Sequence, residues 1–177
     1  ISDSFEYDLD NNPIFGISNY FERGKTEHAN RAYDLRVAET ACMFLEDTAR
    51  MQPFVMFTGF LAPHAPFALS EPYASMFDPK DVPLPVQPET IDIPPMLKKR
   101  YAKYEWLSEE DARKGIAFYC GMIAMIDDCV GQVVGKLKSL GLYEDTLLII
   151  ASDHGEMLGE RGLYDKFVPY ESSSKVP

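Results

Sequence analysis

The stretch that decides the fold is TLLIIASDHGEMLGERG, residues 146–162, in which an unbroken apolar run leads directly into Asp153, His154 and Gly155. Such a run is typical of a strand buried on both faces. Open α/β sheets keep their ligand crevices where strands give way to loops. A carboxylate and an imidazole can both bind a divalent ion, and glycine lets the backbone turn sharply between strand and loop. The stretch could supply part of a metal site, but three residues are a weak motif, and alone they favour a turn capped by Asp153 with His154 as an ordinary polar residue.

A second apolar run, FVMFTGF at residues 54–60, leads into a loop that carries His64. Its continuous apolar character again predicts a buried strand. If the two strands are parallel, their loops open at the same edge of one sheet, and His64 then lies near Asp153 and His154. The alternative is that His64, in a proline-flanked turn, is a stiff structural residue.

Each apolar run is preceded by a helical pattern. The first helix is predicted to follow Asp34, and the second to run from about Ser108 to Leu140 with Ser108 and Asp111 as its cap. The first helix has an apolar face made of Leu35, Ala38, Ala41, Cys42 and Leu45. The expected buried face of the second consists of Ile116, Tyr119, Cys120, Ile123, Ile126, Val130, Val133, Val134 and Leu137. This order of elements predicts an α/β fold, with helices packed on a largely parallel sheet.

The composition excludes several classes of protein. A chain of 177 residues that is 46% hydrophobic and 25% charged is typical of a globular domain. The net charge of −11 argues against nucleic acid as a partner, because that binding needs clustered Lys and Arg. No apolar stretch approaches the ~20 residues of a membrane span. The three cysteines are too scattered for a disulfide framework or a zinc site.

Both ends of the chain suggest a segment of a longer polypeptide. The sequence begins at Ile1 without an initiator methionine or a recognisable targeting signal, and it stops at Pro177. We therefore expect residues 1–177 to form one incomplete domain.

Three stretches carry a resemblance to a known family: GFLAPHAPF, FYCGMIAMIDDCVGQVVGKLKSLGLYEDTLLIIASDHGEMLGERGLYDK and PYESSSKVP. Over residues 53–67 and 115–177 the chain resembles the sulfatase family of the alkaline-phosphatase-like superfamily, close to its arylsulfatase, choline-sulfatase and phosphonate-monoesterase members. The resemblance implies the layered alkaline-phosphatase-like fold. It also implies that residues 1–177 are an incomplete catalytic domain from which the nucleophile-bearing N-terminal part is absent.

The resemblance also implies roles for four residues. Asp153 and His154 match two ligands of a single divalent cation, expected to be Ca²⁺, with Mg²⁺ or Mn²⁺ as alternatives. Lys166 matches the lysine that holds the sulfate or phosphonate oxygens. His64 matches a histidine that contacts the same group and stabilises or protonates the leaving oxygen. The chemistry agrees, because a metal ion and fixed cations stabilise the charge that develops during ester cleavage.

Other features of the family pattern are missing from this chain. The family's nucleophile is a Cys or Ser in a C/S-x-P-x-R motif that is converted to formylglycine, and no such motif follows Cys42, Cys120 or Cys129. The acidic pair that completes the metal site and the lysine–histidine pair after the nucleophile are missing as well. Two protein ligands, Asp153 and His154, are too few for Ca²⁺ or Mg²⁺, which need about six oxygen ligands. By itself the chain is expected to be inactive.

Three functional hypotheses follow. The first is a segment of a formylglycine-dependent sulfatase that hydrolyses a small-molecule sulfate ester. The second is a segment of a phosphonate or phosphate (di)ester hydrolase with the same chemistry. The third is a non-catalytic α/β module, which an upstream C-x-P-x-R motif and acidic pair in the gene would exclude.

The remaining charged residues near the motif have simpler interpretations. Glu156, Glu160 and Arg161 are expected to be helix-start or surface charges. Asp127 and Asp128 interrupt the apolar face of the long helix and are expected to make structural hydrogen bonds. The methionines are expected to fill gaps in the core.

Overall fold

The computed structural model describes residues 29–48, 51, 53–65, 67, 69–89, 92–104 and 107–176. These residues form four α-helices: α1 (Ala29–Thr48), α2 (Lys98–Tyr104), α3 (Glu109–Ser139) and α4 (Glu171–Ser174). Single turns of 3₁₀ helix occur at Tyr73–Ser75, Pro95–Leu97, Tyr143–Asp145 and Glu160–Gly162. The two long helices, α1 and α3, pack against each other and organise the rest of the described chain.

The long helix α3 begins and ends where the sequence predicts. Ser108 is its N-cap, and its hydroxyl accepts a hydrogen bond from the backbone N–H of Asp111 at 3.1 Å. Gly141 follows the helix with a φ of 70°, a conformation that glycine adopts without strain. By length and composition alone α3 could cross a membrane, but the core helix of a soluble protein passes the same test, so this is weak evidence for a span.

The buried face of α3 differs from the one expected. Ile123 is predicted to lie on that face but is 48% exposed, whereas Met122 and Met125 are each 1% exposed. The buried positions are Gly115, Ile116, Ala117, Phe118, Gly121, Met122, Met125, Cys129, Val133 and Leu137. The prediction is confirmed at Ile116, Val133 and Leu137, and the rest of the buried face consists of methionine, cysteine, phenylalanine and small residues. The core-filling role expected for methionine is confirmed at Met122, Met125 and Met157. It was wrong for four others, which are exposed: Met43, Met51, Met76 and Met96.

Helix α1 confirms the predicted apolar face but not the predicted start. Its buried residues Ala38, Ala41 and Leu45 pack in one cluster with α3 and with the extended run at residues 54–60. The helix begins at Ala29, so Asp34 lies within it rather than ahead of it. Asp34 is fully buried, which no pattern in the sequence indicated.

The predicted parallel sheet is not formed among the described residues, since neither apolar run pairs with another strand there. Residues 54–60 have alternating exposure: Val55 and Phe57 are 97% and 95% exposed, while Phe54, Met56 and Phe60 contact the α1–α3 core. Residues 147–150 are also largely exposed. Extended segments become strands by pairing their backbone groups, so the apolar pattern identified the conformation but not the partner.

Two further clusters attach the remaining segments to α3. Phe67, Leu69 and Tyr73 pack on Phe118 and its neighbours on α3. The Tyr73 hydroxyl donates a hydrogen bond to the Asp128 carboxylate at 2.6 Å, which confirms the structural role expected for Asp128. A second cluster joins α2 to residues 157–168 and supports the loop that carries Lys166; its buried members are Leu97, Tyr101, Tyr104, Met157, Leu163, Tyr164 and Val168.

Candidate functional site

The structure brings His64, His154 and Lys166 together from distant parts of the sequence. The Lys166 ammonium contacts Nε2 of His64, although 102 residues separate them in the chain. The ring of His154 lies edge-on to that of His64, with 6.1 Å between the ring centroids. Asp153 joins the group through its neighbour, since its Oδ2 lies 3.6 Å from His154 Nε2. All four residues predicted for the site therefore lie in one cluster.

The hydrogen bonds of His64 define its tautomer. Its Nδ1 lies 2.6 Å from the carbonyl oxygen of Ala65, and a carbonyl oxygen can only accept. We therefore assign the proton to Nδ1, which leaves the Nε2 lone pair to accept a hydrogen bond from the Lys166 ammonium. With this assignment the Nε2 lone pair of His64 faces a cation.

His154 makes the same kind of hydrogen bond through its Nδ1. Its Nδ1 lies 2.8 Å from the carbonyl oxygen of Gly155, so we assign that nitrogen as the donor. In the neutral ring this assignment leaves the lone pair on Nε2, the nitrogen that a metal ion would bind. Metal-binding histidines are commonly orientated in this way, through a hydrogen bond from the other ring nitrogen. The Asp153 carboxylate is 86% exposed, and its Oδ1 accepts from the backbone N–H of His154 at 3.0 Å. His154 Nε2 and Asp153 Oδ2 are thus placed where one ion could contact both.

These two residues fit part of a metal site. Among the described residues, no group of three or more His, Cys, Asp or Glu side chains is arranged to hold a metal ion. A divalent ion of the Ca²⁺ or Mg²⁺ type needs about six ligands, so Asp153 and His154 alone are too few. The chemistry of the pair suits a divalent cation, but the described residues do not complete its coordination.

Lys166 is presented by a strained and heavily supported loop. The residues on either side, Asp165 and Phe167, have φ values of 71° and 67°, in the left-handed region that non-glycine residues rarely adopt. Arg100 on α2 donates to the Lys166 carbonyl oxygen, and its guanidinium lies 5.4 Å from the ring centroid of Phe167. The Lys166 side chain is 12% exposed, and its ammonium lies 3.4 Å from the Asp165 carboxylate. The lysine is therefore held in a fixed position.

Glu156 supports the same loop from inside and is not the surface charge that its sequence position suggested. One of its carboxylate oxygens accepts hydrogen bonds from the backbone N–H groups of Leu158 and Asp165. Burial raises the pKa of Glu156, and these two backbone donors partly oppose that rise. Glu156 thereby connects the residue before Lys166 to the segment that follows His154.

Glu160 and Arg161 also interact with other side chains. The Ser172 hydroxyl donates to the Glu160 carboxylate, and the Arg161 guanidinium lies 4.7 Å from the ring centroid of Tyr170. These partners lie about ten positions away in the sequence, where local patterns carry no signal. Glu160 begins the 3₁₀ turn Glu160–Gly162, as expected for a helix-start charge, and both side chains remain partly exposed, at 38% for Glu160 and 37% for Arg161.

Gly155 is required for close packing between two segments of backbone. A Cβ atom at this position would lie 2.1 Å from the carbonyl oxygen of Ser172 and 3.0 Å from that of Lys175. Its backbone N–H donates to the carbonyl oxygen of Ser173 at 2.8 Å. Its φ lies outside the left-handed range, so close packing rather than a left-handed backbone accounts for the glycine. The glycine lets the segment after His154 lie directly against the end of the chain.

Comparisons with known proteins agree with the resemblance found in the sequence. The model of the sulfatase family matches residues 2–177. The multifunctional alkaline phosphatase superfamily protein PehA of Trinickia caryophylli is 35% identical over 143 residues, which cover 71% of this chain and 28% of the relative. The choline-sulfatase of Rhizobium meliloti (strain 1021) is 30% identical over 140 residues, covering 74% of this chain and 27% of the relative.

The structure is similar to a phosphonate monoester hydrolase, SpPMH from Silicibacter pomeroyi, with a TM-score of 0.69 and 28% sequence identity. That similarity covers 87% of this chain and 35% of the solved one. The chain thus spans about a quarter to a third of the length of the proteins it matches. Because the family model covers residues 2–177 and the structure is similar to that of a phosphonate monoester hydrolase, the chain belongs to the sulfatase family.

Proposed function

We propose that the gene product containing this chain hydrolyses sulfate esters of small molecules, with His64, Asp153, His154 and Lys166 in its active site. The observation that carries the proposal is the contact between the Lys166 ammonium and His64 Nε2, beside the ring of His154. On a chain with a net charge of −11, a fixed ammonium next to two metal-competent side chains favours an anionic group as the ligand.

Lys166 would hold the oxygens of the transferring group. Its ammonium is mostly shielded from water, so its attraction for an anion is screened less than that of a surface lysine. A bound ester gives this ammonium a negatively charged acceptor and releases Nε2 of His64 from its present contact. Nε2 of His64 can then face the leaving oxygen, and it can act as a proton donor once it has taken up a proton, either from solvent or from the Lys166 ammonium that it contacts.

One divalent cation is part of the proposal, with Asp153 and His154 as two of its ligands and the others supplied from outside the described residues. When bound, such a cation stabilises the charge that develops on the transferring group. Ca²⁺ is the first candidate, as in the family resemblance, with Mg²⁺ and Mn²⁺ as alternatives. The imidazole of His154 favours Mn²⁺ relative to Ca²⁺, because Ca²⁺ prefers oxygen ligands.

The nucleophile is proposed to lie outside residues 1–177. None of the three cysteines is in the family's C-x-P-x-R context, and burial raises the pKa of Cys42 and of Cys120. A thiol with a raised pKa is a poor nucleophile at neutral pH. A formylglycine residue supplied by another part of the gene product is the candidate that the family resemblance implies.

A phosphonate monoester is the second candidate substrate. The similar solved structure is described as a phosphonate monoester hydrolase, and its fold matches over 87% of this chain. Sulfate monoesters and phosphonate monoesters both present a tetrahedral, singly charged anionic group to Lys166. The choice between them therefore depends on residues that contact the organic part of the substrate.

The parallel sheet is proposed to form when the apolar runs at residues 54–60 and 147–151 pair with strands from the remaining polypeptide. Two observations support this: Val55 and Phe57 are almost fully exposed, and a groove of about 1060 Å³ lies between them and α1. Exposed apolar area of this kind favours burial against another segment. The substitution Phe57→Ser should then strongly destabilise the complete gene product, because it places a hydroxyl in a core.

Kinetic measurements on the complete gene product test the proposed function. We expect turnover of 4-nitrophenyl sulfate or of a phenylphosphonate monoester, with divalent-metal dependence compared for Ca²⁺, Mg²⁺ and Mn²⁺. Lys166→Met should lower kcat/KM by roughly 10²- to 10³-fold, as removal of a charge-stabilising group does. Lys80→Met, which removes an exposed lysine elsewhere, is the matched control and should change kcat/KM less than about twofold.

Two outcomes would contradict the proposal. One is that the wild-type protein hydrolyses neither ester in the presence of Ca²⁺, Mg²⁺ or Mn²⁺. The other is an active protein in which Lys166→Met behaves like Lys80→Met, which would remove Lys166 from the site. The ratio of the two wild-type kcat/KM values decides between sulfate and phosphonate esters.

A further inference from the structure

The start of the loop that carries His64 is anchored by a buried carboxylate on α1. Oδ1 of Asp34 accepts a hydrogen bond from the backbone N–H of Leu61 at 2.7 Å, and Oδ2 accepts one from that of Ala62 at 3.1 Å. The carboxylate thus binds two consecutive amides with its two oxygens. The residues lie 27 and 28 positions apart in the sequence, so this contact joins α1 to the end of the apolar run.

A second hydrogen bond continues from this anchor to His64. The backbone N–H of His64 donates to the carbonyl oxygen of Leu61 at 2.9 Å, which closes a turn over residues 61–64. Leu61 is therefore held by Asp34 through its amide and holds His64 through its carbonyl oxygen. The position of the His64 backbone, and with it the reach of the imidazole toward Lys166, depends on this turn.

We propose that Asp34 is a positioning residue for the hydrolytic reaction, acting through the turn at residues 61–64 to fix His64 against the substrate group. Asp34 is too buried to reach a ligand itself, since its exposure is 0%. The reaction named in this inference is the one given under the proposed function, and that part of the inference rests on it. Its structural part, the coupling of Asp34 to His64, can be tested without turnover.

Burial of the Asp34 carboxylate disfavours its charged form, and the two backbone hydrogen bonds only partly compensate for this. Burial raises the pKa of Asp34, and the amides of Leu61 and Ala62 oppose the rise. An apolar residue at this position in α1 would avoid the desolvation cost but would leave both amides of the turn without an acceptor. The Asp34 carboxylate therefore stabilises the turn at residues 61–64 rather than helix α1.

The test is a double-mutant cycle with His64 in the complete gene product. Asp34→Asn keeps one acceptor oxygen and replaces the other with an NH₂ group, so one of the two amides loses its partner. A group displaced by about 1 Å in an active site can cost up to about 100-fold, so we expect kcat/KM to fall roughly 10- to 100-fold. In the His64→Ala background, Asp34→Asn should change kcat/KM by less than about threefold, because the group it positions is gone.

A control variant separates positioning from loss of stability. Leu45→Ala opens the core cluster of the same helix at a fully buried residue that is not part of the turn at residues 61–64. It should lower the thermal midpoint at least as much as Asp34→Asn while leaving kcat/KM of the folded protein within about threefold. If the fold-losses in kcat/KM caused by Asp34→Asn and His64→Ala simply multiply in the double variant, the inference is overturned. It is also overturned if Leu45→Ala lowers kcat/KM as much as Asp34→Asn does.

A second readout keeps the inference testable if no ester is turned over. The Cε1–H resonance of His64 and the affinity for inorganic phosphate are measured in the wild type and in the same variants. Asp34→Asn should shift that resonance and weaken phosphate binding, while Leu45→Ala should do neither. Absence of turnover would contradict the proposed function, whereas an unshifted His64 resonance in Asp34→Asn would contradict the positioning role.

Discussion

The substitution Gly155→Ala should disrupt the packing behind Asp153 and His154. A Cβ atom at this position would lie 2.1 Å from the carbonyl oxygen of Ser172, well inside the 3.4 Å at which ordinary van der Waals contact begins. The neighbouring atom is backbone, so no side-chain rotation relieves the clash. The two segments must move apart.

The size of the effect follows from the contacts that are lost. Separation of the segments breaks the hydrogen bond from the Gly155 N–H to the Ser173 carbonyl oxygen, now 2.8 Å long, which is worth about 1 kcal/mol. Overpacking of a close contact costs a further 1–3 kcal/mol, by order of magnitude. We therefore expect Gly155→Ala to lower the free energy of unfolding by about 2–4 kcal/mol.

Urea denaturation followed by circular dichroism measures this change, and α3 supplies the control. A Cβ atom at Gly135 would meet no heavy atom within 4 Å, so Gly135→Ala should be neutral or stabilise the helix by up to about 1 kcal/mol. Equal unfolding midpoints for the two variants would show that Gly155 is not closely packed, and the reasoning would fail. Gly155→Ala should also weaken metal binding, because it displaces His154.

Three further predictions concern stability. Gly121→Ala should be destabilising in the same assay, because its Cβ would lie 2.6 Å from the carbonyl oxygen of Tyr73; stability equal to that of Gly135→Ala would contradict this. Ser108→Ala should cost about 1 kcal/mol, because the N-cap hydrogen bond of α3 is lost, and Ser108→Asp should restore most of it. Burial raises the pKa of Glu156, so its contribution to stability is present below the ordinary pKa of 4.5 and lost as the pH rises through the raised value. Glu156→Gln should therefore gain stability relative to wild type between acidic and neutral pH, and a difference that does not change with pH would refute this.

Features set by local sequence were predictable. The cap at Ser108 and the glycine after α3 are chemical signals within a few residues of the helix ends, and the structure confirms both. The apolar face of α1 was also predictable, because its spacing repeats with the helical period. These features depend on neighbours three or four residues away.

Features set by distant partners were not predictable from the pattern alone. The pattern places Asp34 ahead of a helix, because nothing local shows that the amides of Leu61 and Ala62 need an acceptor. The local pattern also predicts that Glu156 is a helix-start or surface charge, because its hydrogen-bond partner, the backbone N–H of Asp165, lies nine residues further along the chain. The apolar runs predict extended segments, but strand pairing requires partners that the described residues do not supply.

The candidate site was partly predictable from local sequence and partly dependent on distant partners. Spacing alone indicates Asp153, His154 and His64, if two strands are parallel, and it leaves a structural turn as the alternative. Lys166 is identified through the family resemblance, because an isolated lysine in a loop carries no signal. The contact of Lys166 with His64 supports that identification, but it depends on a loop with left-handed backbone at Asp165 and Phe167 that sequence rules would not favour.

Whether these residues form one metal-assisted site is tested most directly by anomalous diffraction from crystals of the complete gene product grown with Mn²⁺ and sulfate. We predict an anomalous peak roughly 2.0–2.5 Å from a carboxylate oxygen of Asp153 and from Nε2 of His154, with a sulfate oxygen in contact with the Lys166 ammonium. A metal ion bound elsewhere, with Asp153 and His154 both facing solvent, would contradict the proposed function.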